Sequence, residues 1–227
     1  MDKAERWLEK TLHYRFEDQG LFARALTHRS AKGRNNERLE FLGDAVLDFV
    51  ISEALFRLRP QADEGDLSRL RAALVKDSTL AAIAADLEIG EHLILGSGER
   101  KTGGHRRQSI LADALEALFG AIYLDAGFEV TKSIIDRIYA ERLESLPDAD
   151  ELRDPKTRLQ EWLQARKFAL PIYELVEVSG QDHKQRFSVT CTVGEKSQTT
   201  RGESASRRSA EQQAARRMLE ILTGEGS

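Results

Sequence analysis

Residues 36–47 read Asn-Glu-Arg-Leu-Glu-Phe-Leu-Gly-Asp-Ala-Val-Leu, three carboxylates set inside one of the most apolar stretches of the chain. At roughly 100° per residue, Glu37, Glu40 and Asp44 share an arc of about 60° on a helix. The same helix carries Leu39, Phe41, Leu42, Val46, Leu47, Phe49 and Val50, which must be buried for it to be stable. Carboxylates are rarely buried without a partner, and converging ones repel one another. The simplest physical remedy is a bound cation, so the segment predicts a helical domain holding a metal.

A second acidic pair strengthens the case. Asp113 and Glu116 stand at i and i+3 on a helix that Ser109 is expected to cap, beside an apolar stripe of Ile110, Leu111, Ala114, Leu115, Leu118, Phe119 and Ile122. Alone, Asp-x-x-Glu says little; two acidic clusters on two buried helices invite one explanation. Oxygen ligands without His or Cys in either cluster favour Mg²⁺, with Mn²⁺ as a substitute, over zinc. Four carboxylates balance two divalent ions, an arrangement suited to in-line phosphoryl displacement. The run Leu95–Thr102 (LGSGERKT) lacks the spacing of a phosphate loop, so no nucleotide cofactor is expected. The five histidines show no metal-ligand spacing, and Cys191 reads as a core residue on a strand.

The chain of 227 residues, 41% hydrophobic and 32% charged, is that of a folded protein with one or two domains. Its net charge of −4 argues against a nucleic-acid partner, but the charge is uneven. From Asp150 onward there are 13 basic and 12 acidic residues, against 21 and 26 before it. The start of the chain lacks the apolar run of a signal peptide, and no stretch suits a membrane span. With a single cysteine, a reducing compartment follows, with cytoplasm the default. Residues up to 145 read as helices: Leu21–Thr27, Arg38–Phe56, one capped by Asp66 or Ser68, one begun by Asp77 or Ser78, the Ser109 helix and a last one over Val130–Leu143, with Gly96–Gly104 as a polar loop. After a linker at Leu146–Asp150, a short helix opens at Pro155 with Leu159, Trp162 and Leu163 on one face. Half-buried strands follow at Tyr173–Val178 and Phe187–Val193, with a third at Gln198–Arg201. A final amphipathic helix turns Ala210, Ala214, Met218 and Leu219 inward, and Arg207-Arg208 at its start make a ready phosphate site.

The run NERLEFLGDAVL, preceded by Leu26-Thr27-His28-Arg29-Ser30 and followed by Asp63–Ser68 (DEGDLS) and Ser109–Glu116 (SILADALE), resembles ribonuclease III along essentially the whole chain. The resemblance implies a multidomain chain: an all-α ribonuclease III endonuclease domain over 3–145, then an α-β-β-β-α (α+β) double-stranded-RNA-binding domain over 153–223. It implies an endoribonuclease that cuts double-stranded RNA as a homodimer, leaving staggered ends with 5′-phosphate and 3′-hydroxyl, in processing of ribosomal, messenger and transfer RNA. Glu40, Asp44, Asp113 and Glu116 carry over as metal ligands, with Asp44 and Glu116 most central to catalysis, and Glu37 and Glu64 as acidic residues lining the cleavage valley. Thr157, Gln160, Glu161, His183, Arg207 and Arg208 carry over as RNA contacts, read by A-form shape. Two positions depart from the family pattern, Ser204 for a glycine and Ser209 for a basic residue, which predicts weaker phosphate contact. Two rival readings stay open: an RNA-binding protein with a decayed nuclease domain, and an unrelated helical metallohydrolase of small phosphoesters.

Overall fold

A computed structural model describes residues 3–146, 153–180, 185–194 and 198–224. His183 and most of the expected linker, 147–150, lie outside the described residues. Contacts divide the chain into two units, Met1–Ala149 and Asp150–Ser227.

The first unit is helical: α1 (Lys3–Leu12), α2 (Gln19–Ala25), α3 (Glu37–Leu58), α4 (Glu64–Val75), α5 (Asp77–Asp86), the short α6 (Ser97–Lys101) inside the expected loop, and α7 (Gln108–Glu144). Two expected caps move. Asp63, not Asp66 or Ser68, caps α4 by accepting the Asp66 N–H, and α7 begins before Ser109, after Arg107. The two helices expected between 109 and 143 run end to end as α7, broken at Gly127, whose φ of 80° falls in the left-handed region that glycine tolerates. Below the break, Asp125 accepts the Tyr14 hydroxyl at 2.5 Å and the backbone N–H groups of Glu17 and Asp18 at 2.9 Å, tying the α1–α2 connection to α7.

α3 and the first arm of α7 form the centre of this unit, and glycines decide how closely they meet. A Cβ on Gly43 would lie 1.8 Å from the Glu116 carbonyl oxygen, and one on Gly120 would lie 2.1 Å from that of Leu39. The two backbones therefore touch where the acidic clusters face each other. Leu39, Val46, Leu47 and Val50 are buried against this contact, as expected. Phe41 and Phe49 are not: they are 80% and 59% exposed. α3 is apolar on more than one side, and the other helices of its own chain cover only part of it.

The second unit runs α8 (Pro155–Ala165), β1 (Ile172–Ser179), β2 (Arg186–Val193), β3 (Gln198–Ser204) and α9 (Arg207–Thr223). Its sheet is an antiparallel meander in the order β1-β2-β3. Leu159, Leu163, Cys191, Val193, Ala214, Ala215, Met218 and Leu219 make its core, and Gly202 admits the α9 backbone against β3. β2 alternates as a half-buried strand, but β1 does not: Leu175 and Val178 stay exposed at the sheet edge, where a bulge follows Leu175.

Candidate metal centre and RNA-binding surface

The backbone contact at Gly43 and Gly120 brings α3 and α7 carboxylates together. Glu40, Asp113 and Glu116 each offer an oxygen within 4.8 Å of the others. Asp44 does not join this trio; its exposed carboxylate stands one turn further along α3, close enough to act electrostatically on Glu116 and Glu40. Of four carboxylates expected to converge, three do so and the fourth borders them. The donor set, oxygen only and bearing three or four negative charges, fits a hard divalent cation.

Electrostatics mark the site without an ion. Burial, then repulsion by Asp44, Glu40, Asp113 and Asp77, pushes the Glu116 carboxyl up to about 8. Glu40 is raised by burial and by Asp113 and Glu37, with Arg29 opposing. Asp113 is raised by burial and by Asp77, with His28 and Arg29 opposing, and Asp44 by burial and Asp48. Desolvation, more than mutual repulsion, leads in all four.

Several of these neighbours are not among the residues expected from sequence. Asp77, read only as a helix start, adds charge from α5. His28 is buried, with Nδ1 2.8 Å from the Ser30 hydroxyl, which also accepts the Gly96 N–H at 3.0 Å. Metal-ligand spacing does not single out His28; the signal lies in the run Thr27-His28-Arg29-Ser30. Glu37 is held outside the trio by Asn35 at 2.9 Å and Arg29 at 3.7 Å. Glu64 is apart from it on α4, bonded to the Ser68 hydroxyl at 2.8 Å.

On the second unit, Thr157, Gln160 and Glu161 are exposed on one side of α8, with Glu161 paired to Arg153 at 3.1 Å. Ser206 caps α9 through the Ser209 N–H, so Ser209 completes the cap there. Arg207 and Arg208 project from its first turn. Glu211 holds Arg207 at 3.0 Å and Lys156 of α8 at 2.6 Å, and Asp154 accepts from Gln212 at 2.6 Å with Arg208 at 4.0 Å. These bonds fix the helix N-terminus against α8 and gather cations and N–H groups at one end, a setting suited to phosphate.

A helical carboxylate centre for a divalent ion, joined to an α-β-β-β-α module with a cationic helix start, defines a nuclease acting on a structured polynucleotide. Comparison with known proteins places it further. A family model of ribonuclease-III-like domains matches residues 18–143, and one of the double-stranded RNA binding motif matches 155–222. The curated ribonuclease 3 of Alkalilimnicola ehrlichii is 58% identical over 95% of this chain and 94% of its own length, and that of Nitrosococcus oceani is 54% identical over 99% and 97%. A crystal structure of the nuclease domain of Campylobacter jejuni ribonuclease III matches 64% of this chain and all of that domain at 48% identity, with a TM-score of 0.61. A second structure of that domain, at 51% identity and a TM-score of 0.58 over 60% of this chain and 95% of that one, was described for flexibility in a region involved in dimer formation. The chain belongs to the ribonuclease III family. It is a double-stranded-RNA endoribonuclease of a metal-dependent kind.

Proposed function

We propose that this chain hydrolyses the phosphodiester backbone of RNA duplexes with Mg²⁺, cutting both strands as a homodimer and leaving 5′-phosphate and 3′-hydroxyl ends. The observation that carries the reading is the meeting of Glu40, Asp113 and Glu116 on two glycine-apposed helices. A divalent ion held there would supply Lewis-acid chemistry, activating a water and offsetting charge on the leaving oxygen. Glu40, Asp113 and Glu116 would hold it, with Asp44 bordering them and adding negative charge, so no side-chain nucleophile would be required. Mn²⁺ suits the same oxygens.

The exposed rings of Phe41 and Phe49, with Leu124 also 53% exposed, support a second copy as cover for α3. Beside Phe41 lies a cleft lined by Leu42, Leu124 and Arg24, suited to accept an apolar group from that copy. Paired subunits give two sites, one for each strand. Thr157, Gln160, Glu161, His183, Arg207 and Arg208 grip the duplex by shape. We assign the nuclease domain to 3–145 and the RNA-binding domain to 153–223. Among the described residues no helix is long and apolar enough to cross a membrane, and we place the protein in the cytoplasm, processing ribosomal precursor, messenger and transfer RNA.

Incubation with a long RNA duplex, with and without Mg²⁺, tests this when both ends of every product are mapped. Metal-dependent cutting with short 3′ overhangs is expected. Binding without cutting would overturn it in favour of a non-enzymatic duplex binder.

A further inference from the structure

Arg71 of α4 has no role in the metal site, yet its surroundings are unusual. Its guanidinium is half-buried and donates to the Ser52 hydroxyl of α3 at 3.1 Å. Its neighbours Arg57 and Arg69 pair with Glu53 and Asp66; among the described residues no carboxylate pairs with Arg71. A partly desolvated cation outside any ion pair is costly to keep. It sits in a cleft of about 280 Å³ shared with Ser52, Phe56, Glu64 and Ser68.

The donors and acceptors around this cleft narrow its ligand. Ser52 donates to the Asp48 carbonyl at 2.6 Å and Ser68 donates to Glu64 at 2.8 Å, so both hydroxyl protons are engaged. What remains is the set of unused N–H groups on Arg71 and the second carboxylate oxygen of Glu64. The first suits an acceptor-only group bearing negative charge, such as a phosphate. The second suits a neutral hydroxyl that donates. A ribonucleotide offers both side by side, a phosphate and a 2′-hydroxyl, and DNA offers only the first.

Position points the same way. Glu40, Asp44, Asp48, Ser52 and Phe56 recur every fourth residue along α3 and form one ridge. Ser52 lies eight residues past Asp44, about 12 Å along the axis at 1.5 Å per residue. We infer that the Arg71 cleft is a backbone subsite for the RNA strand flanking the cut: Arg71 holds a non-scissile phosphate, and Glu64 accepts from a neighbouring 2′-hydroxyl. The inference rests on the duplex-cleaving function proposed above, and it gives an acidic residue in a groove for a polyanion a chemical reason to be there.

The test uses the full chain. Arg71→Gln should raise KM for duplex RNA about tenfold, the effect of losing one charged hydrogen bond, and leave kcat nearly unchanged. In a Glu116→Gln background, where binding is read without turnover, it should lower the slope of log K against log salt by about 1. Arg71→Lys should restore that slope. Glu64→Ala should narrow the preference for all-ribose duplex over one with 2′-deoxy nucleotides beside the cut. Unchanged KM and salt slope in Arg71→Gln would overturn the subsite. So would a fall in melting temperature that accounts for the whole loss and that Arg71→Lys shares, since that marks a brace between α3 and α4. Failure of the unsubstituted chain to cut duplex RNA would instead overturn the functional reading itself.

Discussion

At the scale of single residues, the clearest signature is the Glu116 carboxyl, pushed up to about 8 by burial and by four neighbouring carboxylates. The folded, metal-free chain thus binds a proton at Glu116 that the unfolded chain releases near its ordinary pKa. This group's stabilisation is complete at acid pH and is lost as pH rises toward 8, so the melting temperature of metal-free protein should fall between about pH 5 and pH 8. Glu116→Gln should flatten that slope, raise the metal-free melting temperature and abolish cleavage while leaving duplex binding intact. A melting series over pH, read beside a cleavage assay, checks all three. Because a ligand must shed its proton first, metal affinity should climb over the same interval, which calorimetric titration at several pH values would record.

Among the elements, the α3–α7 crossing governs the site. Gly43→Ala would place a methyl 1.8 Å from the Glu116 carbonyl oxygen. The helices must then separate, costing ~3 kcal/mol as an overpacked core does. Displacing the carboxylates by an ångström should lower kcat about a hundredfold. Thermal melting and single-turnover cleavage of this variant check both. The carboxylates were legible in sequence because they interrupt apolar helical stripes at 40, 44, 113 and 116. Which of them converge was not, since that depends on the closeness of two backbones seventy residues apart. The exposure of Phe41 and Phe49 is not legible for a related reason: periodicity reports that a face is apolar, not which molecule covers it. In the second unit the helix–strand order was legible, as Pro155 and the alternation of β2 mark it plainly. The exposed side of β1 was not, because alternation in an edge strand says nothing of whether a helix lies over it.

On the scale of the whole molecule, one unit is built to cut and the other to hold. Mg²⁺ at a hundred times its dissociation constant should stabilise the folded chain by about 2.7 kcal/mol, visible as a higher melting temperature. Arg207→Ala with Arg208→Ala should weaken binding equally across duplex sequences and lower the salt slope by about 2, measured by titration at several ionic strengths. Selective loss on one sequence would contradict recognition by shape. The uncovered phenyl groups of α3 carry a further implication. With a second copy as their cover, a newly made subunit is incomplete until it meets another, and dilution alone separates working pairs. The rate of RNA cutting then depends on the square of subunit abundance where pairs are scarce, so a modest change in synthesis becomes a large change in transcript turnover.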